Sequence, residues 1–207
     1  MFTGIPEAAL DFFDDLELDN TKSFWTAHKH VYDDAVKAPL EALLTELAPE
    51  FGKAKMFRPY RDVRFSNDKT PYKTHQGAEV PYDSGSGWYL QVSAAGVFTG
   101  AGCWGIGAES LARFRAAVDE VIPGEQLRSI LADLEEHGFE VGGEKLKTTP
   151  RGYDADHPRI ELLRHKWLTV HKNYGFEPYI HTPELLDQVR SDWRHARPLV
   201  EWLAKYL

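Results

Sequence analysis

Between Met56 and His75 the chain reads MFRPYRDVRFSNDKTPYKTH, a run that gathers Arg58, Arg61, Arg64, Lys69 and Lys73 among the aromatic side chains of Tyr60, Tyr72 and His75. A guanidinium presents a planar fork of donors that matches a phosphate or a carboxylate. From Phe51 to His75 seven cations face two acids, Asp62 and Asp68. This window is +5 in a chain whose formal charge is −8, so the remainder carries −13. Two like charges about 4 Å apart repel by roughly 4 kcal/mol at an effective dielectric near 20. Water, acidic side chains from elsewhere in the fold, or an anionic ligand must offset that repulsion.

Read as a strand, residues 57–65 carry a mainly apolar odd face that includes Arg61 and a polar even face with Arg58 and Arg64. Arg61 among apolar neighbours needs a carboxylate or a bound anion. Asp62 is placed to orient an arginine. Residues 66–71, SNDKTP, read as a turn, because Ser, Asn and Asp bond their own backbone and Pro71 holds Thr70 extended. Such a turn can aim several N–H groups at one point, an anion nest. Lys73 and His75 alternate with Tyr72 and Thr74 beyond it. His75 has the intrinsic pKa of a general acid or base.

The elements that must position these groups follow from periodicity. Leu10, Phe13 and Leu16 predict an N-terminal helix, with Thr3 or Gly4 as cap and Pro6 in its first turn. Asn20 is placed to cap a second helix carrying Trp25 and Tyr32. Leu40, Leu43, Leu44 and Leu47 form a third apolar face, and Pro39 falls between the two. Stretches 77–82, 88–93 and 96–104 alternate and are joined by hairpin-type turns, which predicts an antiparallel meander. Helices are expected over 108–120 and 127–137, with loops and strand ends to 156, a short helix over 158–166 and a strand over 167–170. Thr182 and Pro183 start a last helix, which Pro198 should kink or split. With no repeat, low-complexity run or linker, the expected fold is one α+β domain over 1–207. In it, N-terminal and C-terminal helices pack an antiparallel meander sheet.

Composition narrows the function classes. The acidic total disfavours sequence-independent binding to nucleic acid, which depends on excess Lys and Arg. A single cysteine, Cys103, excludes an internal disulfide framework. The acidic start MFTGIPEAALDFFDD is unlike a secretory leader. No apolar run is long enough to span a bilayer. The expected setting is cytoplasmic, away from the membrane. HExxH and zinc-type Cys/His spacing are absent, so a metal would need His75, His157, His165 and His171 gathered by the fold. GxSxG is absent, and Gly85-Ser86-Gly87 reads as a turn. Gly100, Gly102, Gly105 and Gly107 form no phosphate loop and mark bulges or close backbone approaches. Cys103 reads as a small buried residue.

FTGIPEAALDFFDDLELDNTKSFWTAHKHVY, FRPYRDVRFSNDKTPYKTH, GWYLQVSAAGVFTGAG and LKTTPRGYDADHPRIELLRHKW together resemble the family called domain of unknown function 2461, over nearly the whole chain. The resemblance implies a single member of that family. It carries no assigned activity, cofactor or catalytic residue. It draws attention to a second polar block around Arg151 and His157, which, with Lys147 and Lys166, is expected to fold against the first and share its cleft. The alternative is a loop anchored by Tyr153. The expected function is binding of a phosphate- or carboxylate-bearing small molecule by Arg58, Arg61, Arg64, Lys69 and Lys73, with Tyr60, Asp62, Tyr72, His75, Arg151 and His157 completing the site. The alternative is a basic patch that meets nucleic acid or an acidic protein surface, the aromatics stacking on unpaired bases.

Overall fold

A computed structural model describes residues 1–64 and 68–207. The chain order is α1 (Glu7–Leu18), α2 (Lys22–Val31), a π-helical segment (Tyr32–Lys37), α3 (Ala38–Phe51), β1 (Lys55–Met56), β2 (His75–Pro81), β3 (Ser86–Ser93) and β4 (Gly96–Cys103). Then come α4 (Ala108–Asp119), α5 (Val121–Glu136), β5 (Glu140–Gly142), α6 (Ile160–Leu163), β6 (Thr169–Gly175), a 3₁₀ turn (Pro178–His181) and α7 (Glu184–Tyr206). The strands form one antiparallel sheet in the order β1-β2-β3-β4-β6-β5, so β2 to β4 are the expected meander, with β1 added beside β2, and the fold is α+β.

The chain divides into two compact units, each assembled from separate stretches. The first comprises 1–80, 89–99 and 173–191; the second comprises 81–88, 100–172 and 192–207. The core of the first unit holds Phe13, Leu16, Val36, Leu40, Leu43 and Leu90, all essentially without exposed surface. That of the second holds Trp88, Phe114, Leu127, Leu134 and Trp193. There the Trp88 indole donates to the Trp193 carbonyl at 3.1 Å, so a large buried ring keeps its polar handle satisfied.

Pro39 marks the start of α3 rather than the end of a separate helix. It has no N–H and crowds the carbonyl one turn back, which an α-helical ladder cannot absorb. The wider turn of the π segment carries the chain through this point instead. Asn20 does not cap α2. Thr21 takes that position and accepts the Phe24 N–H at 3.2 Å. At α7 the Thr182 hydroxyl accepts the Glu184 N–H at 3.3 Å, and the helix runs through Pro198 without splitting. Gly102, with φ +134°, sits where a Cβ would lie 2.4 Å from the Leu168 carbonyl oxygen, a close approach that only glycine permits. Cys103 is buried.

Candidate functional site

The basic stretch belongs to the first unit, and it is not a regular strand. After β1, the arm 57–61 runs antiparallel to the arm 71–77. Phe57 N–H donates to the Gly77 carbonyl at 3.0 Å, Lys73 N–H to Pro59 at 2.8 Å and Arg61 N–H to Pro71 at 2.9 Å. Tyr60 and Tyr72 face each other between the last two bonds. Each proline gives its carbonyl to the opposite arm but has no N–H to return, so the ladder cannot continue as a full strand over 57–65. Phe65 and the first two residues of the expected turn, Ser66 and Asn67, lie outside the described residues.

Three side chains fix this irregular hairpin. Asn20 acts as a short substitute strand: its amide donates to the Tyr72 carbonyl at 3.0 Å and accepts the Tyr72 N–H at 3.1 Å. Trp25 stacks on the buried Tyr72 ring at 4.3 Å with the planes 7° apart. Buried Gln76 donates to the carbonyls of Phe57 (2.8 Å) and Gly77 (2.9 Å) and accepts the Tyr32 hydroxyl at 2.6 Å. Burial, then Asp33, pushes the Tyr32 phenol well above its usual range, so it stays a donor.

The charges divide into two sets. Arg61 pairs with Asp68, a carboxylate from within the fold. Arg64 forms a two-point pair with Asp62, at 2.9 Å to Nε and 2.6 Å to Nη2. Hydrogen bonds from Arg64 hold the Asp62 carboxyl below its usual range. Lys69 donates to the Val63 carbonyl at 2.9 Å. Asp68 also accepts the Thr70 N–H and hydroxyl at 2.9 and 2.7 Å, so this part of the turn is closed by its own side chain rather than left as an open nest.

Arg58, Lys73 and His75 form the second set. Among the described residues no carboxylate pairs with Arg58 or Lys73. Lys73 Nζ lies 5.2 Å from the centre of the Phe57 ring. Burial, then Arg58 and Arg61, lowers the Lys73 pKa. Burial, then Lys73 and Arg61, lowers that of His75. These groups are close enough to repel one another, and among the described residues none of them forms an ion pair; the Asp62 carboxylate, already held by Arg64, acts on Arg58 only at longer range.

Beside Arg58 an open hollow of about 450 Å³ is lined by Trp25, Tyr32, Phe57, Pro59 and Tyr60, with Lys29, Asp33, Lys37 and Glu41 at its polar side. Lys29 pairs with Asp33, and Lys37 with Glu41 at 3.8 Å. The Trp25 indole N–H is buried without an acceptor among the described residues.

The second polar block lies in the second unit. Arg151 is exposed in a turn. His157 uses both ring nitrogens, accepting the Arg159 N–H at 3.1 Å and donating to Asp119 at 3.1 Å. Tyr153 packs edge-on to the His157 ring. The two polar blocks thus fall in different units. Periodicity did not single out Arg159. It is buried and binds the carbonyls of Val118 and Asp119, both at 2.7 Å, and Glu125 at 3.1 Å. His165 is also buried, and burial lowers its pKa to about 4. Its Nδ1 faces the Trp167 carbonyl at 3.1 Å and therefore carries the proton, leaving Nε2 without a partner.

Among the described residues no three His, Cys, Asp or Glu side chains form a metal-holding group, and no helix is long and apolar enough to cross a membrane. Residues 8–202 match the family described as "Conserved hypothetical protein (DUF2461)". The chain belongs to that family, which covers nearly all of it. Comparison with curated proteins and with solved structures finds no match.

Proposed function

We propose that this member of the DUF2461 family binds a small phosphate- or carboxylate-bearing molecule at the mouth of the 57–61/71–75 hairpin. Arg58 and Lys73 hold the anion, His75 stands beside it, and Tyr60 and Tyr72 form the wall. Arg61, Arg64, Lys69, Asp62 and Asp68 shape the loop by pairing among themselves and with its backbone. The observation that carries this reading is the set of neighbouring cations that form no ion pair among the described residues, in a protein otherwise rich in acids. A dianion bound there would relieve the repulsion that depresses Lys73 and His75. It would draw a proton onto His75, placing an acid next to the ligand.

A small ligand is favoured over a polymer because much of the basic stretch is already spoken for. Lys55 pairs with Glu79 at 3.0 Å, and Arg61 and Arg64 have their aspartates. The test is a thermal-shift screen of phosphorylated and carboxylated metabolites and nucleotides. A ligand at about 100 times its Kd stabilises the folded state by roughly 2.7 kcal/mol. In a chain of this length that raises Tm by roughly 5–10 °C. Arg58→Ala and Lys73→Ala should each abolish the rise while keeping the unliganded Tm. A uniform, salt-sensitive response to any polyanion, reduced a little by every Lys or Arg change, would instead support the nucleic-acid or acidic-surface reading.

A further inference from the structure

The hollow beside Arg58 narrows the class of ligand. Its two lysines are neutralised by carboxylates of the same lining, Lys29 by Asp33 and Lys37 by Glu41. Arg58 is the cation of its lining that forms no ion pair among the described residues, and the rest of the wall is largely aromatic. Tyr60 is 50 % exposed although its ring lies 5.5 Å from Tyr72 and 6.2 Å from Trp25, so an aromatic cluster is left open on one side. Lys73 is not in the lining, but its Nζ sits over the ring of Phe57, another wall residue, and it is near enough to Arg58 for the two charges to repel. The Trp25 N–H is a buried donor with no acceptor among the described residues, and such a group is costly to leave unmade. A volume of about 450 Å³ lies in the range of small-molecule sites.

We infer that the ligand is a phosphate monoester carrying a planar ring, with its phosphate on Arg58 and Lys73 and its ring in the hollow against Tyr60. Two unpaired cations suit a dianionic head better than a single carboxylate, and an open aromatic face suits a ring better than an alkyl chain. This inference rests on the anion-binding reading and adds the ring to it.

Calorimetric titration with phenyl phosphate, ethyl phosphate and inorganic phosphate separates the two. Phenyl phosphate should bind about tenfold more tightly than ethyl phosphate, the size of effect one aromatic contact supplies. Tyr60→Ala should erase that preference, bringing phenyl phosphate to the affinity of ethyl phosphate in the same variant. Tyr60→Phe, which keeps the ring, should retain the preference. Equal binding of phenyl and ethyl phosphate by the unmodified protein would overturn the ring inference and leave the anion site standing. So would a preference that survives Tyr60→Ala in a protein of unchanged Tm. If none of the three phosphates binds, the anion site fails and the inference falls with it.

Discussion

Arg58 and Arg159 carry the same side chain in opposite circumstances. Arg159, in the second unit, has only 6 % of its side chain exposed, and its donors are taken by two backbone carbonyls and Glu125. Arg58, in the first unit, is exposed, close to Lys73, and without an ion pair among the described residues. A guanidinium enclosed by fixed acceptors is part of the architecture, because its desolvation is offset only while every acceptor stays in place. A guanidinium left among other cations costs repulsion and contributes nothing to the packing. On the proposed reading its counter-charge comes from outside the chain.

The largest effect that sharpens this contrast is on folding. Arg159→Ala should destabilise the protein by roughly 3 kcal/mol or more, the scale for removing one partner of a buried charge pair. Chemical denaturation would read this directly. A loss under about 1 kcal/mol would show that Arg159 is not the tie described.

The second effect concerns His165, buried and neutral in the same unit. Its folded pKa of about 4 lies below the ordinary value of 6.5. The unfolded chain therefore binds the extra proton first as pH falls, and stability is lost between about pH 6.5 and 4. For a shift of this size the loss is roughly 3 kcal/mol. His165→Leu should flatten that part of the stability–pH curve relative to the unmodified protein. Equal slopes would contradict the assignment.

The third is local to the hairpin. Asn20→Ala removes both hydrogen bonds to Tyr72 and should cost about 1–2 kcal/mol. It should weaken ligand binding as well, because the arm carrying Lys73 loses its anchor. Unchanged hydrogen exchange at Tyr72 would show that the anchor is redundant.

The smallest effect is on the other side of the comparison. Arg58→Ala should leave stability within about 0.5 kcal/mol, as for an exposed side chain with no ion pair among the described residues. A larger loss would mean that Arg58 has a structural partner after all.

How much of this was legible in the sequence depended on whether the relevant physics is local. The meander was readable because Trp88, Leu90 and Val92 alternate with polar neighbours, and all three are buried. The helices of the first unit were readable from leucine spacing, although the π segment at Pro39 was not. The basic window was readable as a charge reversal. Its internal division was not, because that depends on which aspartate meets which arginine. Arg61 finds Asp68 seven residues away, and the sequence left open whether its partner was a carboxylate or a ligand. Pro59 and Pro71 were visible, yet their joint effect, two carbonyls given and no N–H returned, appears only when the arms are set side by side. Asn20, expected as a cap, instead bonds Tyr72 across 52 residues, which no local rule anticipates. The aromatic hollow likewise joins α2 and the π segment to the 56–60 arm, and periodicity marked Trp25 and Tyr32 only as core.

The central claim is that Arg58, Lys73 and His75 form an anion site, and an NMR titration of the His75 ring tests it most directly. Without ligand His75 should titrate below 6.5, held down by burial and by the neighbouring cations. With saturating phenyl phosphate or inorganic phosphate its pKa should rise, since a bound dianion favours the imidazolium. Arg58→Ala and Lys73→Ala should remove the response to phosphate. A His75 pKa that is the same with and without every phosphate tested, in a folded protein, would contradict the account.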